Sequence, residues 1–521
     1  MKKFFTTLSL FFTPFLFAQE QNQGLDSKIN EAFTPIANAW GNIVLHKFPF
    51  SNLIFEEGIP TIIVILVSGA LFFTVYFGFI NVRRFPLAIG VVSGKYDKLE
   101  KKSSKSNSDG EVSHFQALST AVSGTVGNGN IAGVALAIAI GGPGATFWMI
   151  VCGLIGMSSK FVECTLGVKY RDVGRDGTVY GGPMYYLTKG LKEIGLPRIG
   201  KILGFVFAAL CVGASFGGGN AAQSNTAALS IVDLFGLTGS SARTFIGIIM
   251  MVFVGVIIIG GIKRIASITE KIVPFMAIMY IACCLYIIFS NLSFVDDAFS
   301  QIIFGAFTPA AGLGGLLGVL VVGFQRAAFS NEAGAGSAAI AHSAVKTKYA
   351  ASEGLVALLE PFIDTVVICT MTALVIIIFN GDTTAFDYGG LDGKVFIEGV
   401  AVEGPQITQK AFSNYISFAG PFLTLAIVLF AISTMISWSY YGLQSWMFIF
   451  GKTKWSDLTY KFLFLSFIVI GAAGDMSSVW GFSDAMILAL VFPNMIGLFF
   501  LYPKVKEDLT KYLDAIKSFS K

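Results

Sequence analysis

Apolar runs recur along almost the whole chain, and a run of about 20 apolar residues is long enough to cross a bilayer as a helix. The runs that we predict to be membrane helices are 59–80, 115–140, 145–168, 200–230, 243–261, 271–290, 313–340, 353–380, 415–450, 458–473 and 478–501. Charged residues make up only 13% of the 521, against about 25% in soluble domains. The sequence therefore predicts an all-α integral membrane protein with eleven transmembrane helices. A shorter apolar segment, 296–310, is expected to lie at the surface.

The chain begins with a pattern that is typical of export. Lys2 and Lys3 precede an apolar run that is followed by Leu16-Phe17-Ala18, as in a secretory signal peptide; an uncleaved signal anchor is the alternative. The predicted organisation is a signal peptide over 1–18, an extracytoplasmic extension over 19–55, a transporter domain over 56–505 and a cytoplasmic tail over 506–521.

The distribution of Lys and Arg tests the helix count independently, because cytoplasmic loops of membrane proteins carry an excess of these residues. With residue 50 outside, the predicted inner segments hold 27 basic residues and the predicted outer segments hold five. Adding or removing one helix would scramble this alternation. We therefore predict a multi-pass protein of a bacterial inner membrane, with the mature N-terminus outside and the C-terminus in the cytoplasm.

Two predicted spans contain stretches that favour a broken helix. Span 2 reads Ser-Gly-Thr-Val-Gly-Asn-Gly-Asn-Ile-Ala-Gly over 123–133, and span 7 reads Phe-Ser-Asn-Glu-Ala-Gly-Ala-Gly-Ser over 329–337. Glycine costs up to about 1 kcal/mol per helical position, and Asn, Ser and Thr offer the backbone competing hydrogen bonds. A break exposes carbonyls that can bind a cation, and helix N-termini that suit a carboxylate. Close helix packing through small residues is the alternative, although buried Asn and Glu are costly without a cavity or partners.

The placement of the two breaks points to transport. If span 1 is set aside, spans 2–6 and 7–11 form two sets of five, and the broken spans are the first of each set. Span 2 runs outward and span 7 runs inward in the predicted topology. Broken helices at corresponding positions of two inverted halves indicate a binding site near the middle of the membrane in a secondary transporter.

Further polar side chains inside the spans are candidates for the same site. The adjacent hydroxyls of Ser433 and Thr434 in span 9 suit a hard cation, or bond to their own helix. Gln223 in span 4 could donate to a substrate or hold helices together. The polar residues of the breaks that we expect to line a substrate cavity are Thr125, Asn128, Asn130, Ser330 and Asn331.

Ionisable residues inside spans are functional candidates because they are costly in lipid. Glu332 lies in the second break, and Arg326 precedes it as a gate residue or counter-ion. Asp364 is a coupling or gating candidate, and its pairing with Glu360 around a proline is the structural alternative. Lys160 and Glu163 have the spacing of an i,i+3 helical pair. His114 and His342 lie near the predicted inner surface and give little reason to expect a proton relay.

Four blocks of sequence carry a family resemblance. Residues 141–150 resemble the Gly-Gly-x-Gly-Ala-aliphatic-Phe-Trp-Met-Trp signature of the alanine or glycine:cation symporter family, with Thr146 and Ile150 as departures. The segments 124–133, 329–334 and 438–442 are also similar to blocks of that family. The likeness extends from about residue 55 to 505.

The resemblance implies a LeuT-type fold, in which an extra first helix precedes a core of five plus five helices in inverted repeat. It implies that the N–H groups of Asn128 and Gly129 bind the substrate carboxylate, with Gln223 beside the substrate. The sodium ligands that it implies are the carbonyls of Ser123 and Val126 and the side chains of Ser433 and Thr434. Arg326-Ala327-Ala328-Phe329 departs from the family's Arg-Gly-x-Phe block, and the added methyl could reshape the pocket.

The sequence thus predicts a sodium-coupled symporter that imports alanine or glycine by alternating access. A pocket walled by Ile131, Phe329 and Met435 would select small side chains. Sodium is the coupling ion and no cofactor is expected. A proton-coupled carrier using Glu332 and a passive channel are the alternatives, and the absence of nucleophile or phosphate-loop motifs argues against an enzyme.

Overall fold

The computed structural model describes residues 24–49, 51, 58–100, 110–174, 177–307, 316–390 and 393–519. The predicted signal peptide, 1–18, lies outside the described residues. The first half of the chain forms α1 (Leu25–Val44), α2 (Thr61–Tyr76), α3 (Ile80–Arg83), α4 (Phe85–Val92), α5 (Asp97–Glu100), α6 (His114–Thr125), α7 (Ala132–Gly141), α8 (Gly144–Lys169), α9 (Pro183–Glu193), α10 (Pro197–Phe216), α11 (Ala222–Phe235) and α12 (Ala242–Ile258).

The second half continues the helical bundle. Its helices are α13 (Gly261–Ser290), α14 (Val295–Gly305), α15 (Leu316–Asn331), α16 (Ala338–His342), α17 (Ala350–Ala357), α18 (Leu359–Pro361), α19 (Thr370–Thr383), α20 (Pro405–Tyr415), α21 (Ala419–Phe450), α22 (Lys454–Ala473), α23 (Met476–Ala489) and α24 (Val491–Phe519). Among the described residues, β-structure is limited to two antiparallel ribbons. These ribbons pair β1 (Asp172–Val173) with β2 (Val179–Tyr180), and β3 (Lys394–Ile397) with β4 (Val400–Glu403).

The length and composition of the helices confirm a multi-span membrane protein. Seven described helical stretches are long and apolar enough to cross a membrane, and the bent pair His114–Thr125 and Asn128–Gly141 makes eight. Two further predicted spans hold the shorter apolar helices α2 and α12, and the predicted span 313–340 is divided between α15 and α16. Helices therefore occupy every predicted segment, while the count of eleven membrane crossings stays a prediction.

Three helices add detail to the predicted pattern. Span 9, predicted over 415–450, is one continuous helix, α21, of 32 residues. Its hydroxyls support the helix: Ser433 Oγ donates to the carbonyl of Phe430 and Ser439 Oγ donates to that of Ile436. The predicted loop 262–271 is helical, since α13 begins at Gly261. The predicted tail 506–521 continues the last helix as far as Phe519.

Two π-helical turns were not predicted. Gly217–Ala221 joins α10 to α11, and Phe362–Cys369 joins α18 to α19. A π turn adds one residue to a helical turn and is frequent at functional sites. Both turns are next to the two predicted breaks, through Gln223, which follows the first turn in α11, and through Asp364, which lies within the second.

Within the predicted extension, Leu25–Val44 forms an amphipathic helix, α1, at one end of the bundle. The rings of Phe33 in α1 and Phe482 in α23 are 5.1 Å apart. Asp26 Oδ1 accepts a hydrogen bond of 2.6 Å from Thr244 Oγ1 at the start of α12. Helix α1 thus bridges the beginning of α12 and the side of α23.

Candidate functional site

The first break separates α6 from α7, which are bent by 56° at this point. The chain passes through extended Gly127 and one 3₁₀ turn, Asn128–Asn130. The N–H of Gly127 donates to Asn130 Oδ1 at 2.9 Å, so a side chain replaces the lost helical bond. A β-carbon on Gly127 would lie 2.5 Å from Thr434 Oγ1 and 3.0 Å from Gln223 Oε1. Glycine is required here because two polar side chains approach the backbone.

Gln223 holds the first break from the side of the π turn in span 4. Its Oε1 accepts from the N–H of Asn128 at 2.9 Å, and its Nε2 donates to the carbonyl of Gly218 at 3.0 Å. Asn128 Nδ2 donates back to the carbonyl of Gln223 at 3.2 Å. The N–H that the family resemblance assigns to a substrate carboxylate therefore has a side-chain acceptor, which a carboxylate could replace.

The second break follows Asn331, the last residue of α15. Glu332 adopts φ +55°, and Gly334 and Gly336 adopt φ +93° and +84°. A left-handed conformation is uncommon for a residue other than glycine. Glu332 is held in it by a hydrogen bond of 3.0 Å from Trp438 Nε1 and by a hydrogen bond from Ser337 Oγ. These partners explain how a buried glutamate ends a helix here.

The two breaks meet at the carboxylate of Asp364 in the second π turn. Asn130 Nδ2 from the first break donates to Asp364 Oδ1 at 2.7 Å, and Ser330 Oγ from the second donates to Oδ2 at 2.8 Å. Thr365 Oγ1 also donates to Oδ2, at 2.7 Å, and Asp364 is fully buried. Asp364 therefore joins the breaks and does not pair with Glu360.

A glycine lets the two breaks approach closely. A β-carbon on Gly129 would lie 3.4 Å from Phe329 Cδ1 and 3.5 Å from the Cα of Ser330. Phe329, Ile131 and Met435, the predicted pocket walls, are all buried. Asn331 Nδ2 donates to Thr365 Oγ1 at 2.9 Å. Thr125 faces its own helix, with Oγ1 3.3 Å from the carbonyls of Ala121 and Val122.

The predicted sodium ligands lie where α6 crosses α21. Thr434 Oγ1 is 3.0 Å from the carbonyl oxygen of Ser123, and Ser123 Oγ donates to the carbonyl of Ser433 at 2.8 Å. Val126 directly follows the last residue of α6 as its C-cap. Buried oxygens from two helices fit a hard cation, although the Ser433 hydroxyl itself donates to its own helix.

An ion pair and two aromatic rings close one side of the breaks. The guanidinium of Arg326 binds the carboxylate of Asp484, with Nη1 and Oδ1 3.3 Å apart and Nη2 bonded to Oδ2. The rings of Phe329 and Trp480 are 5.1 Å apart, and Arg326 lies over Trp480. Asp484 was missed in the sequence, where a lone carboxylate in an apolar span was the available signal.

The predicted pairing of Lys160 with Glu163 is wrong. Lys160 Nζ binds Glu360 Oε1 at 3.1 Å, whereas Glu163 Oε1 accepts from Asn494 Nδ2 at 2.9 Å. His114 and His342, which in the sequence gave little reason to expect a proton relay, both bind Glu353. Sequence spacing describes only one helix, and these partners belong to other helices.

Comparison with known proteins gives a consistent result. Residues 46–521 match the sodium:alanine symporter family. The "Sodium/alanine symporter AgcS" of Methanococcus maripaludis is 38% identical over 88% of this chain and 95% of its own length. The "Probable sodium/glutamine symporter GlnT" of Bacillus subtilis is 35% identical over 87% of each chain. A crystal structure of MhsT in complex with L-phenylalanine aligns with a TM-score of 0.49 and 16% identity, over 76% of this chain and 99% of that one.

Proposed function

The chain belongs to the sodium:alanine symporter family, and from that premise we propose that it imports alanine or glycine together with sodium by alternating access. It is a multi-pass membrane transporter of a family of sodium-coupled amino acid symporters, and not an enzyme. The proposed setting is a bacterial inner membrane, with the C-terminus in the cytoplasm. The proposed core is a five-plus-five inverted repeat of the LeuT type after one extra helix.

The observation that carries this proposal is the meeting of the two breaks at Asp364. Asn130 and Ser330 come from different broken helices and bind the two oxygens of one buried carboxylate. Non-helical backbone is tolerated at membrane depth where it is buried in protein or lines a cavity. Two such segments facing each other provide the carbonyls and N–H groups that a bare cation and a zwitterion require.

The amino acid is proposed to bind between the breaks. Its carboxylate would take the N–H groups of Asn128 and Gly129, after Gln223 Oε1 releases the first of them. Its side chain would face Phe329, Met435 and Ile131. Glycines pack tightly here: a β-carbon on Gly219 would lie 2.2 Å from Trp438, and one on Gly218 would lie 2.3 Å from Ile487. The lack of space supports a small substrate.

Sodium is proposed to bind between α6 and α21 as the transported coupling ion. The ligands would be the carbonyls of Ser123 and Val126 and the hydroxyl of Thr434, with Ser433 adjacent. Because these oxygens belong to one broken helix and one continuous helix, a cation between them would stabilise one relative position of the two. This is how ion binding would be coupled to the conformation that accepts substrate.

Arg326 and Asp484 are proposed to form the outer gate. Span 7 runs inward in the predicted topology, so Arg326 lies on the outer side of the second break. Opening this side requires the Arg326–Asp484 ion pair and the Phe329–Trp480 contact to separate. Since a buried ion pair is costly to break without a replacement, binding of sodium and substrate would have to offset that cost.

A transport assay tests the proposal directly. Labelled alanine uptake into proteoliposomes is measured with an inward sodium gradient and, separately, with an inward proton gradient. Uptake driven by sodium alone is the expected result. Uptake driven by protons alone would transfer the coupling role to Glu332. If neither gradient drives uptake, the assignment of alanine as the substrate is contradicted, while the fold is not affected. Counterflow from preloaded vesicles separates a carrier from a channel, because only a carrier exchanges.

A further inference from the structure

Six buried ionisable side chains follow one another in a row on the predicted cytoplasmic side of the breaks. We call this the charged chain, and its members in order are Glu100, His114, Glu353, His342, Glu360 and Lys160. Glu100 Oε2 is 2.7 Å from His114 Nε2, and His114 Nδ1 binds Glu353 Oε2. Glu353 Oε1 is 2.5 Å from His342 Nδ1, and Glu360 Oε1 is 3.1 Å from Lys160 Nζ.

The charged chain connects the cytoplasmic side to the interior. Glu100 lies in α5, outside the predicted spans, and also accepts hydrogen bonds of 2.6 Å from Tyr512 and 2.7 Å from Thr347. Burial raises the pKa of the Glu100 carboxyl, but the hydrogen bond and charge of His114 outweigh burial and hold this pKa below its ordinary value. At the other end, Lys160 interacts electrostatically with Glu163 and Glu332, the glutamate of the second break.

The charged chain is interrupted between two atoms. His342 Nε2 and Glu360 Oε2 face each other at 3.7 Å. Neither atom has a hydrogen-bond partner within the described residues, and both side chains are fully buried. Buried polar atoms are nearly always hydrogen-bonded, so an unpaired donor site facing an unpaired acceptor needs an explanation.

Counting charges explains the gap. Both nitrogens of His114 face carboxylates, so this ring carries two protons and a positive charge. Lys160 is the second positive charge, and the three carboxylates of the charged chain are negative. With a neutral His342 the charged chain lacks one positive charge, which is costly in a buried network. A proton on His342 Nε2 would supply both the missing charge and the missing hydrogen bond.

We propose that His342 and Glu360 form a proton-binding site that exchanges with the cytoplasm through Glu353, His114 and Glu100. In each transfer, one N–H or O–H bond forms as the neighbouring one breaks, and the proton comes from water on the cytoplasmic side. Binding of the proton lets His342 Nε2 donate a hydrogen bond to Glu360 Oε2, and this bond connects α16 with α18. The inner half of span 7 is then held in place, so acidification of the cytoplasm slows inward opening.

Other charged and titratable groups surround this site on every packed element. They are Lys160, Glu163 and Cys164 on α8, Glu332 before α16, Glu353 on α17, Arg171 after α8, Tyr441 on α21, Tyr512 on α24, and Glu100 and His114 at the inner end. Arg171 donates to the carbonyls of Ser343 and Val345. Among these groups only the two histidines ordinarily titrate near pH 6.5, and His114 is held between two carboxylates.

The site can be observed without transport. The chain has three histidines, His46, His114 and His342, so ¹⁵N-histidine NMR of the protein in lipid vesicles gives few signals. His46→Gln and His342→Gln assign them by loss. The signal that is absent from His342→Gln should convert from one to two protonated nitrogens as the pH is lowered from the alkaline side. Burial lowers the pKa of His342, but the hydrogen bonds and charges of Glu353 and Glu360 outweigh burial and raise it, so the conversion should occur above the ordinary histidine pKa of about 6.5. A His342 that keeps one form throughout would overturn the proposal.

The expected slowing of transport by cytoplasmic acid rests on the proposed function. Counterflow in proteoliposomes tests this slowing. With external pH fixed, lowering the internal pH should slow alanine exchange several-fold in the wild type and in the control His46→Gln. His342→Gln should remove this response. If the His342→Gln variant does not insert into the membrane, the His114→Gln variant is used instead. It interrupts the proton route to the cytoplasm and should therefore weaken the response of exchange to internal pH. A wild-type response in His342→Gln would refute the regulatory role, whereas failure of wild-type exchange would refute only the proposed function, and the NMR result would stand.

Discussion

Gly127 and Thr434 face each other so closely that a β-carbon on the glycine would lie 2.5 Å from the threonine hydroxyl. The unwound backbone of span 2 therefore lies directly against the middle of α21. A real β-carbon essentially never lies at that distance, so the side chain of Thr434 or one of the two helices would have to move. The predicted substrate and sodium sites are thus separated by a single glycine.

The first prediction follows from this contact. Gly127→Ala should abolish uptake, because the methyl group would push α6 and α21 apart exactly where the ion is proposed to bind. Gly133→Ala is the matched control, since its β-carbon would lie 3.5 Å from Trp480, an ordinary contact distance. Labelled alanine uptake is compared at equal amounts of membrane-inserted protein. Equal uptake by the two variants would contradict the assigned position of the break.

The second prediction concerns the sodium ligands. Thr434→Val keeps the shape of the side chain and removes the hydroxyl that lies 3.0 Å from the Ser123 carbonyl. We expect the sodium concentration for half-maximal uptake to rise about tenfold, equivalent to about 1.4 kcal/mol. Ser433→Ala should have a smaller effect, because that hydroxyl donates to the carbonyl of Phe430. A larger effect at Ser433 would place the ion elsewhere.

The third prediction concerns the outer gate. Arg326→Gln and Asp484→Asn should each alter uptake, and the double variant should resemble either single variant, because each change removes the same ion pair. The coupling measured in this double-mutant cycle should be roughly 1–3 kcal/mol. The readout is the apparent affinity for external alanine. Strict additivity would show that the pair does not act as a unit in the cycle.

The sequence was sufficient to locate both breaks, because glycines and amide side chains at 123–133 and 329–337 conflict with a membrane helix. It did not reveal the contacts between helices. The partners Arg326 and Asp484 lie far apart in the chain, and Lys160 binds Glu360 instead of Glu163. Such choices depend on which helices pack together, and that is decided by the whole bundle.

For the hydroxyls of span 9 the sequence left two interpretations open, a cation site and hydrogen bonds within the helix. In the structure Ser433 Oγ donates to the carbonyl of Phe430 in its own helix, whereas Thr434 Oγ1 lies 3.0 Å from the carbonyl oxygen of Ser123. The two π turns were not predicted. The three glycines of 217–219 disfavour a regular helix without specifying a π turn, and Phe362–Cys369 has the apolar composition of an ordinary membrane helix, although Gln223 near the first turn and Asp364 within the second were recognised as candidates.

The last prediction separates sodium coupling from proton coupling at Glu332. This side chain is buried at the second break, where it accepts hydrogen bonds from Trp438 and Ser337. Glu332→Gln keeps the size and one acceptor oxygen but cannot bind or release a proton. If sodium is the coupling ion, the variant should retain sodium-driven uptake, somewhat reduced because one of the two hydrogen bonds is lost. Glu332→Asp is the control that keeps the carboxylate and changes the geometry. Loss of all gradient-driven uptake in Glu332→Gln, with counterflow preserved, would show that the proton on Glu332 drives transport, because exchange needs binding and rocking but no net ion coupling.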